Sequence, residues 1–207
     1  MKEVSVSFLG CGDPLKAIDK LNNSNCDYIH FDVMDGKFVD NSNLTCEDLD
    51  KYIPLVKKKT DVHLMVNDPS VYIETLKKYN ISYLTIHYEI KDLEKYIDLI
   101  KSYDIKVGVS IKPDTPIKEI YPLLDKIDLV LVMGVNPGYS GQTFISKTKS
   151  RINKLKKEII KRGLDVKISV DGGICNKVLH KVSNADILVS ASFVFNNLEN
   201  IELLKNS

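Results

Sequence analysis

His30, Asp32, His63 and Asp171 are the residues of this chain best placed to do chemistry. The first two lie in Tyr28–Met34 (YIHFDVM) and the third in Asp61–Met65 (DVHLM). Asp171 closes the apolar run Val166–Val170 (VKISV) and is followed at once by Gly172-Gly173. Alternate side chains of an extended segment share a face. His30, Asp32 and Met34 therefore point one way, opposite Ile29, Phe31 and Val33. Asp61, His63 and Met65 likewise oppose Val62 and Leu64. A half-buried strand turns its polar face to water, yet both of these polar faces end in methionine. That combination reads as a closed interior with chemistry at its mouth. Buried carboxylates without partners are costly, so joint coordination of one divalent metal ion by the four residues is the economical reading. Mixed imidazole and carboxylate ligation suits Zn²⁺, Fe²⁺, Mn²⁺ or Co²⁺. Two imidazoles and two carboxylates at strand ends are what a small metal-assisted proton-transfer site requires.

Apolar, β-branched runs recur along the chain as strand candidates: 4–9, 28–33, 62–66, 83–87, 106–111, 129–133, 166–171 and 187–190. Charged segments of helical period lie between them, at 14–21, 46–58, 70–78, 92–103 and 147–161. Asp68-Pro69-Ser70 reads as a helix start and Arg162-Gly163 as a helix stop. Repeated β-α alternation implies parallel strands with helical crossovers. Two architectures fit: a doubly wound open sheet and a (β/α)₈ TIM barrel. Ser7, His30, Asp32, His63, His87 and Asp171 fall at the ends of five different runs. An open sheet gathers its site at one switch point, whereas a barrel brings all strand ends around one mouth. The expected fold is therefore an α/β chain forming one single-domain (β/α)₈ barrel over residues 1–207.

Composition narrows the partners. The 207 residues are 43% hydrophobic and 28% charged with a net charge of +1, so no large field favours nucleic acid or an anionic membrane. No run of about 18 apolar residues and no leader-like start is present, which points to a soluble cytoplasmic protein. Cys11, Cys26, Cys46 and Cys175 form no CxxC pair and read as reduced, small apolar residues. Val135–Phe144 (VNPGYSGQTF) reads as a mobile lid and anion cradle. Gly172-Gly173 and Ala191-Ser192 follow the last two strands, where barrels bind phosphate through backbone N–H groups. His87 reads as structural, because no nearby acid is evident, and His180 as a surface residue.

These residues resemble the ribulose-phosphate 3-epimerase family. The motifs are HFDVMDGKFVDN (30–41), DVHLMV (61–66), LVMGVNPGYSGQTF (131–144) and VDGGI (170–174), and the likeness runs from about residue 4 to residue 196. The resemblance implies a barrel that interconverts D-ribulose 5-phosphate and D-xylulose 5-phosphate, with homo-oligomers as the expected assembly. It implies that His30, Asp32, His63 and Asp171 hold the metal and that Asp32 and Asp171 are also the two acid/base groups. Ser7 and His63 would contact the sugar. Gly138, Tyr139, Ser140, Gly141, Asp171, Gly172, Gly173, Ala191 and Ser192 would line the substrate and phosphate positions, with Met34, Met65 and Met133 as apolar walls. Inverting C3 of a 2-ketose needs a proton removed from one face and delivered to the other through a cis-enediolate, hence two carboxylates.

Several positions depart from the family pattern. Val6 and Asp40 stand where prolines are usual, the Gly-Pro-Pro after that stretch is missing, Gly134 replaces a threonine, Ser140 a glycine and Ala191 a glycine. Alanine resists positive φ, so the phosphate site is expected to be reshaped there. Three rivals remain. The same machinery could epimerise another ketose phosphate such as D-allulose 6-phosphate. Decarboxylases on a similar barrel need a DxKxxD strand end, and Asp32-Val-Met-Asp35 has no lysine. A non-catalytic sugar-phosphate binder would not need the full ligand set.

Overall fold

The apolar runs become strands because both of their faces find cover. Outward side chains such as Ile29, Phe31, Leu64, Leu84 and Ile86 are fully buried under helices, the condition under which parallel sheets occur. The computed structural model describes residues 1–207. Its barrel strands are β1 (Glu3–Ser7), β2 (Tyr28–Asp35), β3 (Lys59–Met65), β4 (Tyr83–His87), β5 (Val107–Ile111), β6 (Leu129–Met133), β7 (Lys167–Asp171) and β8 (Ile187–Ser190), and the short segment Ser42–Asn43 pairs antiparallel with the end of β2. Each barrel strand pairs in parallel with the next in chain order, and β1 pairs with both β2 and β8. That last pairing closes the sheet and excludes the doubly wound alternative, which would keep two edges. The chain folds as a single (β/α)₈ barrel.

Helices α1 (Pro14–Asn22), α2 (Cys46–Tyr52), α3 (Ser70–Leu76), α4 (Leu93–Ser102), α5 (Thr148–Arg162), α6 (Ser192–Asn196) and α7 (Asn200–Lys205) accompany the strands. Asp13 caps α1 by accepting from the Lys16 N–H, and Thr45 with Asp48 forms a capping box on α2. Gly163, at φ 65°, ends α5 where Arg162-Gly163 signalled a stop. Other boundaries differ from expectation. The helix expected to reach residue 58 ends at Tyr52, because Pro54 turns the chain into a 3₁₀ stretch, Ile53–Leu55. The crossovers before β6 and β8 are 3₁₀ segments, Ile117–Lys126 and Asn176–Lys181, so β-α alternation is not regular throughout. Pro122 inside the first of these removes a backbone donor and prevents an α-helix.

The barrel interior has two unlike sides. Ser5, His30, Asp61, His63, Thr85 and Ser110 form a buried polar wall on β1 to β5. Leu129, Leu131, Met133, Ile187 and Val189 form an apolar cluster with Tyr28 and Tyr83. Gly108 is needed at the junction. A Cβ there would lie 2.2 Å from Thr85 Oγ1 and 3.0 Å from Thr85 Cβ on the neighbouring strand. Gly108→Ala is accordingly expected to cost about 1–3 kcal/mol through overpacking. It should appear as a lower urea midpoint at unchanged m-value; an unmoved midpoint would show slack packing at this level.

Candidate active site

Strand register brings the chemistry together. Between β2 and β3, His30 lies beside Asp61, Asp32 beside His63 and Met34 beside Met65. Ser7 of β1 lies beside His30, and Asp171 of β7 beside Met133. One ligand atom from each of His30, Asp32, His63 and Asp171 falls in a group whose members all lie within 4.8 Å of one another. All four residues expected to form the centre are thus brought to one point.

The hydrogen bonds show which atoms are free. His30 Nδ1 is 2.7 Å from Asp61 Oδ2, which also accepts from Ser5 Oγ at 3.0 Å. His63 Nε2 lies 2.9 Å from His87 Nε2, and His87 Nδ1 lies 3.1 Å from Glu89 Oε2. The remaining ring nitrogens, His30 Nε2 and His63 Nδ1, are buried without a hydrogen-bond partner. They face Asp32 Oδ1 at 3.3 and 3.4 Å, and His63 Nδ1 is 3.8 Å from Asp171 Oδ2. Buried polar atoms are rarely left unpaired. Two such nitrogens converging with two carboxylates make a donor set that fits a divalent cation.

Electrostatics pull the two carboxyls apart. Burial works against charge on Asp32, yet His30 and His63 hold it well below the usual carboxylate range. At Asp171, burial and then the Asp32 charge push the pKa up to about 6. Burial also opposes charge on His30, but Asp61 and Asp32 outweigh it and lift His30 well above the ordinary histidine value. In the metal-free chain a proton on His30 thus balances the acid cluster. His87 goes the other way: burial lowers it to about 4, so it is neutral at pH 7.

The roles of Asp61, of Glu89 behind His87, and of Asp35 escaped the sequence reading. Asp61 was on the correct face by alternation, but nothing local revealed that it would hold His30. His87 was read as structural for want of an acid. The acid is present: Glu89 lies two residues on and bonds the His87 ring; that spacing was the available signal. Asp35 also has a role the sequence reading did not give it. Its carboxylate accepts from the Lys37, Phe38 and Asn67 N–H groups and so ties together the loops after β2 and β3.

Ser7 donates through Oγ to Asp32 Oδ2 at 2.6 Å and accepts from the Leu9 N–H. A cavity of about 280 Å³ opens above the cluster, close to the lower limit of small-molecule sites, about 300 Å³. Ser7, Asp32, Met34, Met65, Met133 and Asp171 form its floor, with residues 138–141, Gly172, Gly173, Ala191 and Ser192 around it. Asn41 Nδ2 donates to the Gly138 carbonyl at 2.8 Å, which ties the glycine-rich loop to the loop after β2. Gly173 has φ 70°, and a Cβ there would lie 2.7 Å from the Phe144 N. A Cβ on Gly134 would be 2.5 Å from the Gly172 carbonyl oxygen, so glycine suits that departure. The positive φ that alanine would resist is not found at Ala191: its φ is −111°, so the loss of glycine there costs no left-handed backbone.

The ribulose-phosphate 3 epimerase family profile matches residues 4–195. The chain belongs to this family. Among curated relatives, a ribulose-phosphate 3-epimerase of Synechocystis sp. is 36% identical over 93% of this chain and 85% of its own length. One from Bacillus subtilis is 36% identical over 93% and 89%. A chloroplastic ribulose-5-phosphate-3-epimerase of Arabidopsis thaliana is 35% identical over 98% and 73%. The enzyme is therefore an isomerase acting on carbohydrates. Among solved structures, N-(5'-phosphoribosyl)anthranilate isomerase from Pyrococcus furiosus superposes with a TM-score of 0.64 at 15% identity, covering all of both chains. Tryptophan synthase of Mycobacterium tuberculosis gives 0.67 at 14%, covering 99% and 89%. These last two share the barrel. No helix is long and apolar enough to cross a membrane.

Proposed function

We propose that the enzyme interconverts D-ribulose 5-phosphate and D-xylulose 5-phosphate, with Asp32 and Asp171 as its two acid/base groups at C3. The observation that supports this best is their placement. The two carboxyls come from strands on different sides of the barrel, meet at its mouth, and are driven to different proton affinities. Paired titratable groups pushed apart in this way suit acid and base roles. His30 Nε2, Asp32, His63 Nδ1 and Asp171 would hold one divalent ion, Zn²⁺, Fe²⁺, Mn²⁺ or Co²⁺. Such an ion supplies positive charge to the oxygens next to the reacting carbon as negative charge develops there.

The chain's own residues do the rest. Asp32 removes or returns the C3 proton on one face, and Asp171 works on the other. The Ser7 hydroxyl fixes the Asp32 carboxylate, which keeps the base aimed at the sugar. Met34, Met65 and Met133 exclude water from the planar cis-enediolate, and Gly138, Tyr139, Ser140 and Gly141 cover it. Backbone N–H groups of Gly172, Gly173, Ala191 and Ser192 serve the phosphate. The reading includes a cytoplasmic setting and assembly into homo-oligomers, the latter measurable by sedimentation.

A coupled assay tests the substrate. Turnover is expected to favour D-ribulose 5-phosphate over D-allulose 6-phosphate; a preference for the hexulose would transfer the assignment to the six-carbon sugar. Metal binding has its own signature. Because His30 must lose its proton to offer Nε2, uptake of the ion should release protons. Apparent affinity should then rise with pH, by about tenfold per unit for one proton, until His30 is neutral in the metal-free chain. Calorimetry in buffers of different ionisation enthalpy measures the release; a value of zero would show that His30 is already neutral before the ion binds and would remove this pH dependence.

A further inference from the structure

The two histidines at the mouth leave opposite nitrogens free, Nε2 of His30 and Nδ1 of His63. For His30, the carboxylate of Asp61 on Nδ1 accounts for this. For His63 the partner is a second imidazole, and a neutral imidazole donates from one nitrogen and accepts at the other. The His63–His87 contact alone leaves the proton unassigned, and the residues beyond it assign it. Glu89 Oε1 accepts from the Lys112 N–H at 2.8 Å and from Thr115 Oγ1 at 2.6 Å, and Oε2 faces His87 Nδ1 at 3.1 Å. A carboxylate accepts only, so the proton between His87 and Glu89 sits on His87 Nδ1. The lone pair of His87 is then on Nε2, where only a donor can meet it. That donor is His63 Nε2–H, which leaves the His63 lone pair on Nδ1.

We propose that His87 and Glu89 are positioning residues that lock His63 in its Nε2–H tautomer, so that Nδ1 offers a lone pair to the cation. The inference rests on the metal site proposed above. The relay is built to hold. His63 and His87 are fully buried, so water cannot replace a lost link, and an unpaired buried donor is costly. Arg151 is buried on α5 and donates through Nη2 to the main-chain oxygens of Lys112 and Thr115, at 2.7 and 3.3 Å. It thereby pins the segment that supplies the donors to Glu89. Phe38 packs on the His87 ring at 4.5 Å and carries Lys112 Nζ over its own ring, which closes the outer side.

The test reads tautomers and metal affinity. Nitrogen-15 NMR of the metal-free protein should show His63 protonated at Nε2, and Zn²⁺ should shift its Nδ1 resonance. Glu89→Gln is the sharpest variant. Its amide oxygen must meet the Lys112 N–H, which turns the NH₂ toward His87 Nδ1, reverses both imidazoles and puts a proton on His63 Nδ1. Zn²⁺ affinity, measured by chelator competition, should fall about 10–100-fold in Glu89→Gln and in His87→Phe. His87→Gln can accept from His63 and donate to Glu89, and should bind Zn²⁺ close to the parent. Thermal unfolding of the metal-free variants checks the fold; if His87→Phe fails to fold, Glu89→Gln decides. A His63 Nδ1–H tautomer in the parent, or parent-like Zn²⁺ affinity in Glu89→Gln, overturns the relay alone. A His63 Nδ1 resonance that Zn²⁺ leaves unmoved overturns the metal site and the relay with it.

Discussion

Asp171→Asn and Asp32→Asn should each lower epimerisation by about 10³-fold or more, at the upper part of the 10²–10⁴-fold range typical of general acid–base catalysis. Asparagine keeps the volume of aspartate and one oxygen, but it can neither take nor return a proton. Loss of one carboxyl leaves the other able to act on its own face. Each variant should therefore still exchange the C3 proton of one epimer with deuterated solvent without inverting it, and the two variants should act on opposite epimers. Mass spectrometry of recovered sugar reads this directly. Near-parent turnover in either variant would end the two-base assignment.

The same substitution separates a chemical defect from a folding defect. Burial and the Asp32 charge raise the folded-state pKa of Asp171 to about 6. A carboxyl with a raised folded pKa disfavours the fold once pH climbs above its unfolded value, and that penalty is fully developed above about pH 6. Removing the charge should leave the metal-free Asp171→Asn protein at least as stable as the parent at pH 7. Inactivity joined to an undiminished melting temperature is the expected pair. A sharp loss of stability would show instead that the Asp171 charge supports the fold.

Chelation should have the second large effect. Stripping divalent ions is expected to abolish turnover and to lower the melting temperature, with both restored when Zn²⁺, Fe²⁺, Mn²⁺ or Co²⁺ is added back. A ligand at about 100 times its dissociation constant stabilises the folded state by about 2.7 kcal/mol. For a domain of this size that corresponds to about 5–11 °C. The physical cause is visible in the side chains themselves. His30 Nε2 and His63 Nδ1 are buried and unpaired, and two carboxyls share one small volume. A cation relieves both. Full activity and an unchanged melting temperature after exhaustive chelation would show that the four side chains serve proton transfer without a metal.

Much of this site was legible before folding. Period-two alternation placed His30 with Asp32 and His63 with Met65, and the spread of polar residues over five strand ends argued for a barrel. Those inferences depend only on backbone geometry that every extended segment shares, so local order suffices. Boundaries were less legible at residues 53–58 and 117–126, where Pro54 and Pro122 turn helical periodicity into 3₁₀ segments. The alanine at 191 signalled trouble with a positive φ, and the backbone there does not adopt one.

By itself the sequence determined the strand faces, the eight-unit barrel, the family and the four side chains that gather at the mouth. Only the tertiary structure decided what stands behind them. Asp61 meets His30 across 31 positions of chain, and His87 meets His63 across 24. Such contacts depend on which strands are neighbours and in what register, and no spacing within one strand encodes that. The nitrogen each histidine offers follows from those neighbours. Ligand identity was a property of the segments; ligand orientation belongs to the closed sheet.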